Sequence, residues 1–257
     1  MNRMIGTLLA SACLLMATAC NGAPADAEAP PRVDDPARDP PRAMAPSADA
    51  FKAFIDEIRE FAGMARLAQG AGMDAAAPQA LADRIVAGFE QDPPRQLKLQ
   101  DGRTIYWGWQ EGQAFVKSIA IRGADGELQL LGAVDDLPTL YSHRAGRAIA
   151  DRGAYEAYMR ERADRGSEPA IELFAEDADA LAEHYPLAKR WMQAAMMGFN
   201  ADCGNAAQQP SCAFVEQVDL PVDAQALDCV APAPGRGCSL QVPDVPAADV
   251  PLGAFRQ

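Results

Sequence analysis

Between Phe51 and Ala65 the apolar residues recur at three- and four-residue steps. Phe51, Phe54, Ile55, Ile58, Phe61 and Ala65 form the series, with Lys52, Asp56, Glu57, Arg59 and Glu60 between them. That period marks one face of a helix, predicted over about 48–68 with Ser47 or Asp49 as cap and Gly70-Ala71-Gly72 as stop. A second helix is predicted from Ala77-Pro78 to about Glu90 through Leu81, Ile85 and Phe89, because proline suits a first turn. Asp92-Pro93-Pro94 then stops any helix.

The period next changes to two. Leu97 and Leu99 precede Asp101-Gly102, followed by Thr104–Trp109. Ala114–Arg122 and Glu127–Val134 come next, separated by Glu111-Gly112 and Asp125-Gly126. Alternating strands joined by such turns predict a four-stranded antiparallel meander. Beyond Leu137-Pro138, a charged helical stretch is predicted over about 142–165 and a short strand at Ala170–Phe174. A long helix follows at Asp177–Phe199, where Pro186 implies a kink or a later start. The layout is α+β, with helices on one face of the meander.

The two ends of the chain read differently. Arg3 is the only charge in the first twenty residues, Met4–Met16 is largely apolar, and Ala17-Thr18-Ala19 offers small residues at alternate positions. This is the plan of a secretory signal, too short to span a bilayer as a helix. Residues 21–50 carry seven prolines, many alanines and almost no bulky apolar group. A chain of that composition buries no core and is expected to be extended and unstructured, reaching roughly 90 Å at most. The expected segments are therefore a signal at 1–19, a tether at 20–50, an α+β domain at 51–199 and a loop-rich extension at 200–257.

Ala-Thr-Ala followed by Cys20 resembles the lipobox of bacterial lipoproteins, with Ala17 where that family usually has leucine. The resemblance covers residues 1–22. It implies acylation of Cys20 and attachment to a lipid bilayer. With Asn21 rather than aspartate next, it further implies the periplasmic side of an outer membrane in a two-membrane cell. Cysteine parity agrees. Removing the signal discards Cys13, and withdrawing Cys20 leaves Cys203, Cys212, Cys229 and Cys238, an even set for an oxidising compartment. Their spacing, C-x8-C, C-x16-C, C-x8-C, favours Cys203–Cys212 and Cys229–Cys238. The second bridge would close a hairpin of Leu227–Val230 with Cys238–Val242. Zinc requires closer thiol pairs, so no metal is expected.

Composition narrows the function classes. Of 257 residues, 49% are hydrophobic, enough for a core, and the formal charge is −13. An acidic surface repels phosphate backbones, so nucleic acid is not an expected partner. No G-x-S-x-G, H-E-x-x-H or phosphate-binding glycine loop occurs, and no cofactor is expected. Two histidines exist. His143 follows Ser142, but adjacent side chains diverge and make no nucleophile–base pair. His184 reads as a polar-face residue of the long helix. Asp135-Asp136, at the end of the fourth strand, and His184 are the candidates for a hydrolytic site. Glu176-Asp177-Ala178-Asp179 reads as helix-start chemistry. Tyr106-Trp107-Gly108-Trp109 is the densest aromatic group: Trp107 and Trp109 share a face with Ile105, and Tyr106 points the other way. An exposed aromatic platform is its functional alternative. The leading expectation is a non-enzymatic accessory or binding module held at the envelope, with an envelope protein as partner. A carboxylate/histidine hydrolase and an acidic inhibitor of a basic exported enzyme are the alternatives.

Overall fold

The computed structural model describes residues 41–67, 79–90, 94–227 and 238–256. The signal, Cys20, most of the tether, the Gly70–Gly72 stop, the Ala77-Pro78 helix start and Cys229 lie outside the described residues. Pro40 to the C-terminus forms one compact unit.

Helix α1 runs Ala48–Ala62; the Ser47 side chain accepts a hydrogen bond from the Ala50 amide, and Gly63 ends it. Helix α2 is Leu81–Ala87, ending at Gly88. The meander follows: β1 (Arg95–Lys98), β2 (Thr104–Gln110), β3 (Gln113–Arg122) and β4 (Leu128–Asp135), each antiparallel to the next. Its turns hold Gly102 and Gly126 at φ of 94° and 87°, a region that glycine enters without a Cβ clash.

The expected helix over 142–165 is instead a small hairpin and a shorter helix. Strands β5 (Tyr141–Ser142) and β6 (Arg147–Ala148) pair antiparallel. Helix α3 (Arg152–Ala163) starts only where the Asp151 carboxylate accepts from the Ala154 amide. Then come β7 (Ala170–Ala175), α4 (Ala178–Met196) and α5 (Gln209–Val215). Strands β8 (Asp223–Ala226) and β9 (Ser239–Leu240) and a 3-10 turn at Leu252–Phe255 complete the chain. Pro186 lies inside α4 without delaying its start.

The sheet has seven strands, in the order β1-β2-β3-β4-β7-β8-β9. The meander is its first four. Strand β7 adds antiparallel to β4, and β8 runs parallel to β7 after a crossover through α4 and α5. Within the loop-rich extension expected at 200–257, the described residues supply the strands β8 and β9 and part of the core. Strand β9 pairs with Ala224 and Gln225; most of the Leu227–Val230 arm of the expected hairpin lies outside the described residues.

Helices cover both faces of the sheet, not one. Ile105, Trp107, Ile119, Ile121 and Val134 pack against Leu181, Trp191 and Met192 of α4. Their strand neighbours Tyr106, Ala120, Leu131 and Ala133 pack on the other side against Phe54 and Ile58 of α1 and Leu81 and Ile85 of α2. Because side chains alternate along a strand, a sheet apolar at every position needs a cover on each side.

Candidate functional site

The chemistry-bearing residues of the middle of the chain converge where the first part of β3 pairs with the end of β4. Val116 pairs with Asp135 and Lys117 with Val134, so Asp135 shares the face of Ala133, under α2. There Arg84, only 3% exposed, reaches down from α2. It donates to Ser118 Oγ at 3.1 Å, to the Lys117 carbonyl at 3.0 Å and to Asp135 Oδ1. A guanidinium at this depth is tolerable only with its donors engaged and a carboxylate beside it.

Asp136 turns elsewhere. Its φ of 52° takes the chain out of the strand, while its amide donates to the Phe115 carbonyl at 3.1 Å. Its carboxylate accepts from Ser167 Oγ at 3.2 Å and lies 3.8 Å from the Arg162 guanidinium of α3. Arg162 also donates to the Asp136 carbonyl. Adjacent in sequence, the two aspartates are thus held by different arginines from different helices. A hydrolytic carboxylate pair must instead face one substrate gap.

Burial dominates the electrostatics. It pushes the Asp135 carboxyl up, against the pull of Arg84. It pushes the half-buried Lys117 ammonium down to about 8, against the opposing pull of Asp135 and Asp136. The Lys117 Nζ donates to the Ala114 carbonyl. The cluster therefore holds one carboxyl and one amine, each displaced by burial toward its neutral form.

The aromatic group is core. Trp107 is fully buried, with ring centroids 5.6 Å from Phe255 and 6.1 Å from Phe199. Half-buried Trp109 stacks on Phe199 at 6.4 Å. Tyr106 faces the opposite side, stacked on Phe54 at 4.1 Å, with the Arg122 guanidinium 5.4 Å from its ring. Trp107 and Tyr106 are unavailable to an exposed platform, because the two-sided packing covers both.

His184 is a correction to its polar-face reading: it is 1% exposed, and its Nδ1 has no hydrogen-bond partner. Burial lowers its pKa below the ordinary histidine value. His143 is exposed in the β5–β6 turn, and Ser142 Oγ there accepts from the Ala145 amide at 3.2 Å. The Asp177 carboxylate caps α4, accepting from the amides of Asp179 and Ala180. Among the described residues no group of acidic, histidine or cysteine side chains is arranged to hold a metal.

Cys203 and Cys212 form a disulfide, with Cα atoms 5.8 Å apart. Cys238 is also disulfide-bonded. A groove of about 690 Å³ opens beside Cys203, between Arg42, Asp202 and Arg256. Its floor is pinned where the Ala43 amide donates to the Ala254 carbonyl at 3.0 Å.

Arg84, Lys117 and Arg162 escape a motif search because arginine and lysine carry no signature there. Arg84 did leave a trace: it stands between Leu81 and Ile85 on the apolar stripe of α2. A charge at such a position needs a buried partner. Comparison of the chain with protein families, curated proteins and solved structures finds no match.

Proposed function

We propose that this chain is a lipid-anchored envelope protein whose folded unit is a non-enzymatic binding or accessory module. Cys20 is the acylated residue that enters the bilayer. The spacer is the part of residues 21–50 that precedes Ala43, where the chain joins the fold through Ala254 and Gln96 ahead of α1, and the outer membrane, facing the periplasm, is the destination. The observation that carries the module reading is the separate engagement of Asp135 and Asp136, each held by its own arginine. Both carboxylates thereby serve the fold rather than a shared reaction centre. The bridge at Cys203–Cys212 supports an oxidising compartment, since cytosolic thiols stay reduced. Among the described residues no helix is long and apolar enough to cross a membrane, so attachment falls to the acyl chains, whose apolar transfer suits a dual- or triple-chain anchor.

The hydrolase alternative would draw on Asp135, Asp136 or His184, which the fold holds apart: Asp135 on Arg84, Asp136 on Arg162 and His184 buried in α4.

The deciding experiment is metabolic labelling with a palmitate analogue followed by membrane fractionation of the native chain and of Cys20→Ser. The native chain is expected to carry label and to sediment with membranes. Cys20→Ser is expected to lose both properties. A variant that still sediments with membranes overturns the anchor. Crosslinking of the anchored form in intact envelopes, with Asp135→Asn as a comparison, separates the module from the enzyme. The module reading expects the same crosslinked partner from both forms.

A further inference from the structure

We infer that His184 is a proton-operated latch, which keeps the turn between β1 and β2 closed on α4 when neutral and lets it go when protonated. The proposal stands on how three elements meet. His184 lies in the second turn of α4, buried to 1% exposure, with its Nδ1 unpartnered. Immediately before it, the Glu183 carbonyl accepts a hydrogen bond from Arg103 Nη1 at 3.2 Å, across the gap from the start of β2. Arg103 is itself braced within its turn: its Nε and Nη2 donate to Asp101 Oδ2 at 2.8 and 2.6 Å. The β3–β4 turn leans on the same place, since a Cβ on Gly102 would stand 3.3 Å from that of Ala124.

The charges facing the imidazole come from all three elements. Glu183 lies on α4, Asp101 and Arg103 on the β1–β2 turn, and Asp125 on the β3–β4 turn. The carboxylates favour a cation, and Arg103 opposes it. Asp101 is already neutralised by Arg103, which holds its carboxyl below the usual range. Asp125 accepts from the Glu127 amide at 3.0 Å within its own turn. Burial is the largest influence on His184, and it favours the neutral ring. An imidazolium at this site needs water that the closed arrangement excludes. The least disruptive way to admit water is to lift the β1–β2 turn, which gives up the Arg103–Glu183 hydrogen bond and leaves the sheet intact. Openings of this local kind need far less free energy than global unfolding.

The sign of the effect follows from linkage. A histidine held below its ordinary value of 6.5 stabilises the closed form fully above that pH. The contribution is lost as pH falls through the value in the closed form.

The chain contains only two histidines, so the His184 imidazole signal is assigned by its loss in His184→Gln. The test is an imidazole NMR titration of the full chain together with amide hydrogen exchange between pH 7.5 and about 5, a window chosen to straddle the ordinary histidine range. His184 is expected to titrate below the ordinary histidine value of 6.5. Exchange of residues 99–103 and of the first turns of α4, corrected for intrinsic rates, is expected to accelerate by up to about tenfold per pH unit below 6.5. The β5–β6 turn, which carries His143, should not follow. His184→Gln is expected to flatten that dependence. The latch is overturned if His184 titrates at or above 6.5, if residues 99–103 keep their protection in acid, or if His184→Gln retains the same acceleration. Should the variant fail to fold, the wild-type exchange of residues 99–103 still decides.

Discussion

At the scale of single residues, Arg84 does the most that a motif search would not find. It ties α2 to the carbonyl of one strand residue and to the side chains of two others, and its charge is matched by Asp135 alone. Replacing it with methionine keeps most of the volume but leaves a half-buried carboxylate with only the weaker pull of Lys117 to offset its burial. Breaking a buried pair in this way costs about 3 kcal/mol, readable as a shift in the urea midpoint at pH 7. The loss is expected to shrink in acid. Burial already pushes Asp135 above the ordinary carboxylate value, and without Arg84 it rises further. The stranded group then sheds its charge as pH falls through that further-raised value, whereas the native carboxylate beside Arg84 keeps its charge to a lower pH. A gap between native and Arg84→Met that stays constant as pH falls from neutral into the acid range would contradict this. The residue scale also shows what the sequence disclosed of the site. Asp135 and Asp136 stood out as acidic neighbours, but neighbours on a strand point to opposite faces. Period two alone therefore argued against a shared carboxylate centre. His184 was misread because Glu183 and Tyr185 flank it, although it falls three residues after Leu181 and four before Ala188, within the buried stripe of α4. The depressed Lys117 left no trace in sequence, because desolvation depends on what the fold brings over it.

At the scale of elements, the meander was legible because every part of it is local. Three turns carrying glycine join strands that need nothing distant to pair. The parallel β7–β8 pairing was not legible, since about fifty residues of helix and loop separate partners whose patterns carry no mark of each other. The two-sided cover was available from pattern: Ile119-Ala120-Ile121 and Leu130-Leu131 are apolar without alternation, which is what burial on both faces produces. Close approach of α2 to the sheet makes a sharp prediction. A Cβ on Gly88, at the end of α2, would lie 2.0 Å from Ser118 Oγ and 2.7 Å from the Ser118 amide nitrogen. One on Gly108 of β2 would lie 2.6 Å from the Gly88 carbonyl oxygen. Gly88→Ala and Gly108→Ala are each expected to destabilise by about 2–3 kcal/mol, since a packed interface yields to added volume only by moving backbone. Gly153→Ala is the control. Its Cβ would meet nothing nearer than Asp151 Oδ1 at 3.4 Å, and alanine in the first turn of α3 is expected to be neutral or stabilising by a few tenths of a kcal/mol. Thermal melts of the three variants rank them.

At the scale of the whole molecule, two cores share one sheet, and the segment beyond α4 closes the one on the α4 side. Helix α5 has seven residues, too short to persist by its own hydrogen bonds. It is held by Phe214 and Val215 in the α4-side core and by the bridge from Cys212 to Cys203 in the loop leaving α4. The same loop receives the C-terminal end: the Arg256 guanidinium donates to the Ala201 carbonyl at 3.2 Å and lies 3.7 Å from Asp202. The bridge therefore anchors a junction of three segments. Restricting a loop of this size in the unfolded chain is worth about 2.5 kcal/mol. Cys203→Ser/Cys212→Ser is expected to lose that amount, with hydrogen exchange rising first in α5 and around Ala201 while β2, β3 and β4 keep their protection. Reduction of the native chain is expected to cost more than this double variant, because Cys238 is disulfide-bonded as well and its bridge opens at the same time. Treating the double variant with reductant isolates that second contribution. If reductant adds nothing to the loss already caused by the serines, the bridge at Cys238 closes its segment without steadying the sheet edge formed by β8 and β9.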